Sequence, residues 1–249
     1  MSGPKMMFDL TGRVACVTGA SSGLGRRAAT VLASAGASVV GVARRVELLE
    51  KWSADAPGDT AILSWDLMDR DSLNDLAQQV AKPFGPPDIV VHAAGINMRQ
   101  LADEVTKTAW DVTMTLNLST PFFLSQALIR GMKERGWGRI VNFASLQSTR
   151  AFSGGISFGA SKAGIAQVTR SMAEAWSQHG INVNAIGPGV IDTAVFVDEA
   201  EASRLAKMTC IGRNGREEDI DGPLLFLCSD ASAYVTGQVI MVDGGFTAK

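Results

Sequence analysis

"TGASSGLG", Thr18–Gly25, is the stretch on which the fold turns. It follows an apolar run, "RVACVTG", and opens an amphipathic one, "RRAATVLASAG", that closes at Gly36. A glycine-rich turn between a strand and a helix is built to hold a dinucleotide. Gly19 permits the tight turn, and Gly23 and Gly25 let backbone approach a pyrophosphate while helix packs on strand. The helix N-terminus then faces the phosphates. Glycines of this kind can also serve a turn alone, but their place between strand and helix is the one the nucleotide motif requires.

Working outward, further buried strands are expected in "ASVVGVA", "TAILSWDL", "PDIVVHAAG", "GRIVNFAS", "INVNAIGPG" and "GQVIMVDGG". Helices are expected at about Val46–Ala54, Asp71–Ala81, Thr106–Arg135, Ser157–Gln178 and Glu217–Leu227. Near-continuous apolar strands alternating with helices imply a parallel sheet covered on both faces. Right-handed crossovers make it a doubly wound α/β sheet of Rossmann type. The motifs spread over the whole chain, so residues 1–249 are expected to form one domain. The polar segment after "GPG", about 190–213, is too large for a simple loop and is expected to cover a substrate.

Composition narrows the function. A chain of 249 residues with 46% hydrophobic and 19% charged residues is long enough for a substantial core and has a soluble, globular balance. A net charge of −2 argues against nucleic acid held by general basicity. Cys16, Cys210 and Cys228 lack CxxC spacing and fit buried thiols in a reducing compartment. His92 and His179 have no Cys or His at ligand spacing, so no metal is expected. The first residues lack a signal-like apolar run, and no segment reaches the roughly 18 apolar residues of a membrane span. The expected setting is the cytoplasm.

The end of the second strand, "VVGVARR", bears on the cofactor. NAD binders tend to place an acid there for the ribose hydroxyls, whereas an arginine suits the 2′-phosphate of NADP. Ala43 holds the acid position and Arg44 and Arg45 follow, so NADP is expected, with NAD as the alternative. A solvated basic turn is the plainer reading of the arginines. Asp66 is placed to contact adenine or to cap a turn.

Taken together, "TGASSGLG", "DL" at Asp66, "HAAG" at His92–Gly95, "LNLSTPFF", "IVNFAS", "SFGASKAG", "NAIGPG" and "YVTGQVIMVDGG" resemble the short-chain dehydrogenase/reductase family in order and spacing along nearly the whole chain. The resemblance implies that Asn117 holds a water and shapes the helix supporting a lysine. Ser145 would hydrogen-bond the substrate oxygen, and Lys162 would bind the nicotinamide ribose and lower the pKa of an acid. Pro188 and Gly189 would wall the nicotinamide, and Thr193 would hold its carboxamide. The expected cofactor site is completed by Ser21, Ser22, Leu24, Leu67, Ala93, Ala94, Gly95 and Ile191. A symmetric homotetramer is also implied.

Two positions depart from the family pattern. "HAAG" at His92–Gly95 stands where a double asparagine before the glycine is usual; His92 could meet a substrate or simply be a packed, hydrogen-bonded residue. The second is Phe158, four residues before Lys162, where the family has its catalytic tyrosine. The i, i+4 spacing keeps ring and lysine on one helix face, but the ring has no proton to give. Three readings follow: an otherwise ordinary carbonyl/alcohol oxidoreductase carrying a Tyr→Phe change, a natural NADP-binding pseudoenzyme or sensor, and an isomerase or lyase without redox chemistry.

For the substrate, Asn97 and Arg99 follow the fourth strand, and Gln147 and Arg150 follow Ser145; loops at the carboxyl ends of parallel strands line the ligand crevice. Either arginine could fork onto a carboxylate or be merely solvated. "AGIN" followed by arginine resembles the gluconate 5-dehydrogenase-like branch, which implies a sugar acid or polyol.

Overall fold

The structure, a computed structural model, describes residues 7–192 and 199–249. Along the chain run β1 (Val14–Thr18), α1 (Gly23–Ser34), β2 (Ser38–Ala43), α2 (Val46–Asp55), β3 (Thr60–Ser64), α3 (Leu73–Val80) and β4 (Ile89–His92). Then follow α4 (Lys107–Met114), α5 (Thr120–Arg135), β5 (Gly138–Phe143), α6 (Ile156–Trp176), β6 (Ile181–Pro188), α7 (Glu199–Met208), α8 (Asp221–Cys228) and β7 (Val239–Val242). Among the described residues the strands form one seven-stranded sheet in the order β3-β2-β1-β4-β5-β6-β7, parallel at every pairing.

The period-2 alternation of each strand feeds two separate cores. Ala15, Val17, Val39, Ile89, Val91, Val141 and Phe143 pack with α1, α2 and α8 through Ala28, Leu32, Leu49, Trp52, Leu224 and Leu227. Their neighbours Cys16, Val40, Val90 and Ile140 face the other way, against Leu76 and Val80 of α3, Leu124, Leu128 and Met132 of α5, and Met172 and Trp176 of α6. A fully buried Leu or Val on either face contributes about 1.5–3 kcal/mol, so both faces must stay covered for the sheet to persist.

Each expected strand is present, and the expected helices begin and end close to their predicted limits. Thr106–Arg135 is a continuous helical run, but it carries a π-helical turn at Thr115–Ser119 between α4 and α5. Such a turn widens the helix by one residue, and here it aims the buried Asn117 inward. The segment expected to cover a substrate contains α7; its residues 193–198 lie outside the described residues. Cys16 and Cys228 are buried, and burial pushes both thiols up to about 12. Cys210, expected to be buried, is exposed, because it sits on the turn after α7 with its thiol against the carbonyl of Gly245 at 3.2 Å.

Strand order reverses between β1 and β4, and the loops leaving their carboxyl ends diverge there. That divergence is what opens a crevice in doubly wound sheets.

Candidate active site

Two adjoining cavities occupy the carboxyl edge of the sheet. The first, about 370 Å³, is lined by Gly19, Ser21, Ser22, Leu24, Gly25, Ala43, Arg44, Arg45, Asp66, Leu67, Ala93, Ala94 and Gly95, with Trp65, Met68 and Leu116. The glycines are sterically required. A Cβ on Gly25 would lie 2.3 Å from the carbonyl oxygen of Gly19, and one on Gly19 would lie 2.8 Å from the amide of Ala94. Gly19 and Gly23 also have positive φ, 76° and 53°. At the start of α1 the Ser22 side chain makes no capping bond, and the first turn carries no acid. The amides there remain available to an anion.

Arg45 reaches back across this turn. Its Nη2 donates to Ser21 Oγ at 2.9 Å and to Ser22 Oγ at 2.6 Å. Arg44 lines the same cavity, while its carbonyl accepts from Ser64 Oγ at 3.2 Å. Asp66 combines both of its anticipated positions: it lines the cavity, and its Oδ1 caps a turn by accepting from the amide of Met68 at 3.0 Å.

The second cavity, about 540 Å³, shares Leu24 and Ala93 with the first. Ser145, Phe158, Lys162, Pro188, Gly189, Ile191, Asn97, Arg99 and Gln147 all line it. Ser145 closes β5, and its Oγ accepts from the amide of Gln147 at 3.2 Å, which leaves its hydroxyl hydrogen for another acceptor. Ser148 completes the turn by donating to the carbonyl of Lys162 at 2.8 Å, which ties the serine loop to α6. Lys162 is buried and its Nζ donates to the carbonyl of Phe143 at 2.6 Å. Burial lowers its pKa to about 8. Asn117 stands behind this group: it accepts from the amide of Ile96 and donates to its carbonyl, both at 2.9 Å, and donates to Ser161 Oγ at 3.0 Å. It thus ties the π-helical turn to the β4 loop and to α6.

Other expected positions fall elsewhere. Arg150 does not line the cavity. Its guanidinium instead donates to the backbone oxygens of Thr247, at 3.4 Å, and Lys249. His92 is buried, with Nε2 bonded to Ser125 Oγ at 2.8 Å, and burial holds its pKa down at about 3. It is a packed residue of the sheet and not a cavity group. Thr193 lies outside the described residues.

The segment expected to cover a substrate does supply a wall through α7, but sequence reasoning named none of its residues. Glu201, Arg204 and Leu205 line the second cavity, as does Phe152, which stacks on Phe246 with ring centroids 6.3 Å apart. The signal available was the amphipathic pattern of "EAEASRLAKM", which marks a helix without saying what its polar face meets.

A family model described as enoyl-(acyl carrier protein) reductase matches residues 19–247, from the glycine turn to the last turn. The chain belongs to the short-chain dehydrogenase/reductase family. It is 39% identical to the gluconate 5-dehydrogenase of Gluconobacter oxydans (strain 621H) over 258 aligned positions, covering 100% of both chains. Among solved structures, it is similar to a gluconate 5-dehydrogenase from Burkholderia cenocepacia J2315 in complex with NADP and tartrate. The TM-score there is 0.91 and the identity 32%, over 99% of this chain and 100% of that one. A short-chain type dehydrogenase/reductase from Mycobacterium marinum gives a TM-score of 0.91 at 32% identity, over 98% of each chain.

Proposed function

We propose that the protein is an NADP(H)-dependent oxidoreductase for a secondary alcohol or ketone of a polyhydroxy acid, and that Phe158 leaves it binding both ligands with little turnover. The observation that carries this reading is the junction of the two cavities at Leu24 and Ala93. A nucleotide extended through the first would bring its reactive end to Ser145 and Lys162 in the second.

The residues fit the cofactor. The uncapped N-terminus of α1 suits a pyrophosphate, and the Arg45 guanidinium over Ser21 and Ser22 suits a 2′-phosphate. The relative from Burkholderia cenocepacia holds NADP. Bound there, the nicotinamide would supply or accept a hydride. Ser145 would donate its free hydroxyl hydrogen to the substrate oxygen, and Lys162 would hold the nicotinamide ribose. Asn117 would keep both supports in register. A carbonyl carbon that gains hydride leaves charge on oxygen, which needs a proton. Phe158 has none, and a positioned acid is worth about 10²–10⁴-fold.

The substrate class draws on the cavity and the relatives. Asn97 and Gln147 line the cavity and bring side-chain amides suited to substrate hydroxyls. Arg99 adds positive charge for a carboxylate. Gluconate is the substrate in the name of the Gluconobacter relative.

A symmetric homotetramer in the cytoplasm completes the proposal. Trp110 of α4 and Phe123 of α5 are large apolar groups left exposed on the long helical run, as a subunit contact would require. Light scattering at micromolar concentration tests the assembly, and a monomer refutes it.

The test of function is absorbance of the reduced nicotinamide, followed with sugar acids and their keto forms, for the protein and its Phe158→Tyr variant together. Restored redox in the variant is expected; equal rates in the two proteins would overturn the reading.

A further inference from the structure

We infer that Arg204, on α7, is a specificity-determining residue that selects a substrate carboxylate by exchanging its present partner, Glu201, for the ligand. This rests on the polyhydroxy-acid reading above and extends it to a residue and a mode of selection.

The position of Arg204 is set by packing. The next residue, Leu205, is buried in a small apolar cluster with Leu146 and Phe246, and Leu146 directly follows Ser145 in the chain. The register of α7 is therefore pinned to the serine loop. With Leu205 pinned, Arg204 and Glu201, three residues apart on one helix, both line the substrate cavity. Arg99 lines it too, from the loop after β4, which Asn117 holds at Ile96 and a bridge to Gly155 holds at Gln100.

The partners that Arg204 now has are weak. Nη2 lies 4.0 Å from Glu201 Oε1, at the limit of an ion pair, with side-chain exposures of 64% and 46%. Nη1 lies 3.8 Å from the thioether of Met208, a soft acceptor. A guanidinium carries five donors in a planar fork, and a free carboxylate satisfies that fork with two parallel bonds. A carboxylate entering the cavity can therefore take the fork from Glu201. A neutral polyol has only hydroxyls to offer and gains nothing comparable. Glu201 sharpens the distinction, because its own charge repels an acid that fails to engage Arg204.

Calorimetric titration of the full chain loaded with NADP⁺ tests this with two matched pairs, D-gluconate against D-glucitol and L-tartrate against L-threitol. In the unsubstituted protein each acid should bind at least about tenfold tighter than its alcohol. Arg204→Met should bring that ratio to within roughly threefold, with alcohol and NADP⁺ affinity unchanged, and Arg204→Lys should recover part of it. Glu201→Gln should tighten the acids by about two- to fivefold by removing the competing carboxylate. An unchanged ratio in Arg204→Met overturns the inference, as does a ratio that collapses only in Arg99→Met. In both cases the polyhydroxy-acid reading stands. If the unsubstituted protein binds neither acids nor alcohols, that reading falls and the inference falls with it.

Discussion

The ammonium of Lys162 lies 5.5 Å from the centroid of the Phe158 ring, one helical turn away on α6. The cation that would depress a phenol's pKa is in place and is held by the carbonyl of Phe143, while the phenol itself lacks its oxygen. The expected consequence is that Phe158→Tyr raises the redox rate by about 10²-fold or more. Adding Lys162→Ala should abolish the gain, since the phenol then loses its cation. Ser145→Ala should act similarly by removing the other hydrogen bond to the substrate oxygen. Absorbance of the reduced nicotinamide reads all four proteins, and a Lys162→Ala double variant as fast as Phe158→Tyr alone would refute the role given to the lysine.

Cofactor preference should follow Arg45. NADP(H) is expected to bind at least about tenfold tighter than NAD(H), and Arg45→Ala should weaken NADP(H) by roughly 10–100-fold while sparing NAD(H), the scale of a charged hydrogen-bond pair. Arg44→Asp should reverse the preference by placing an acid beside the 2′-phosphate. Calorimetry on the protein as it stands suffices, because binding needs no acid. Equal affinities for the two cofactors would refute the arginine argument.

His92 should make the fold acid-sensitive. Burial holds its pKa at about 3, against an ordinary 6.5, so the folded state keeps the ring neutral. Above pH 6.5 both states are neutral and the residue contributes no slope. Between 6.5 and 3 the unfolded chain takes up the proton and the folded one does not, so stability falls as pH falls, by up to about 1.4 kcal/mol per pH unit. Urea melts from pH 7 to pH 4.5 should show a shallower slope for His92→Asn than for the unsubstituted protein. Identical slopes would mean that the ring is protonated in the fold.

Arg150 should matter to stability and not to substrate. Its guanidinium holds the carbonyls of Thr247 and Lys249 against the serine loop, so Arg150→Ala is expected to cost about 0.5–1.5 kcal/mol. Acid affinity in the cofactor-loaded protein should be unchanged. A tenfold loss of acid affinity with unchanged melting would return Arg150 to the substrate site.

The division between what was readable and what was not follows the range of the interactions. The alternation of apolar strands with amphipathic helices and the glycine turn at Thr18–Gly25 are local patterns, set by steric rules over a few residues, and they specify the doubly wound sheet; the Phe158–Lys162 spacing is local too and sets one helix face. What a polar side chain meets across the crossovers is not local. Arg150 reads as a rim residue five positions after Ser145, yet it meets backbone nearly a hundred residues away. Arg204 lies in a segment expected to cover a substrate, but which of its side chains face the cavity was not readable; Arg204 reaches it because Leu205 packs beside Leu146. Arg45 and Arg44 are equivalent in sequence; the turn of the chain after β2 lets Arg45 fold onto Ser21 and Ser22. His92 has a plain neighbour in Ser125 only because β4 and α5 stack in the second core. Backbone geometry and apolar periodicity thus gave the scaffold, and the tertiary packing decided which charged groups share a cavity, since that depends on the relative placement of elements that no local rule specifies.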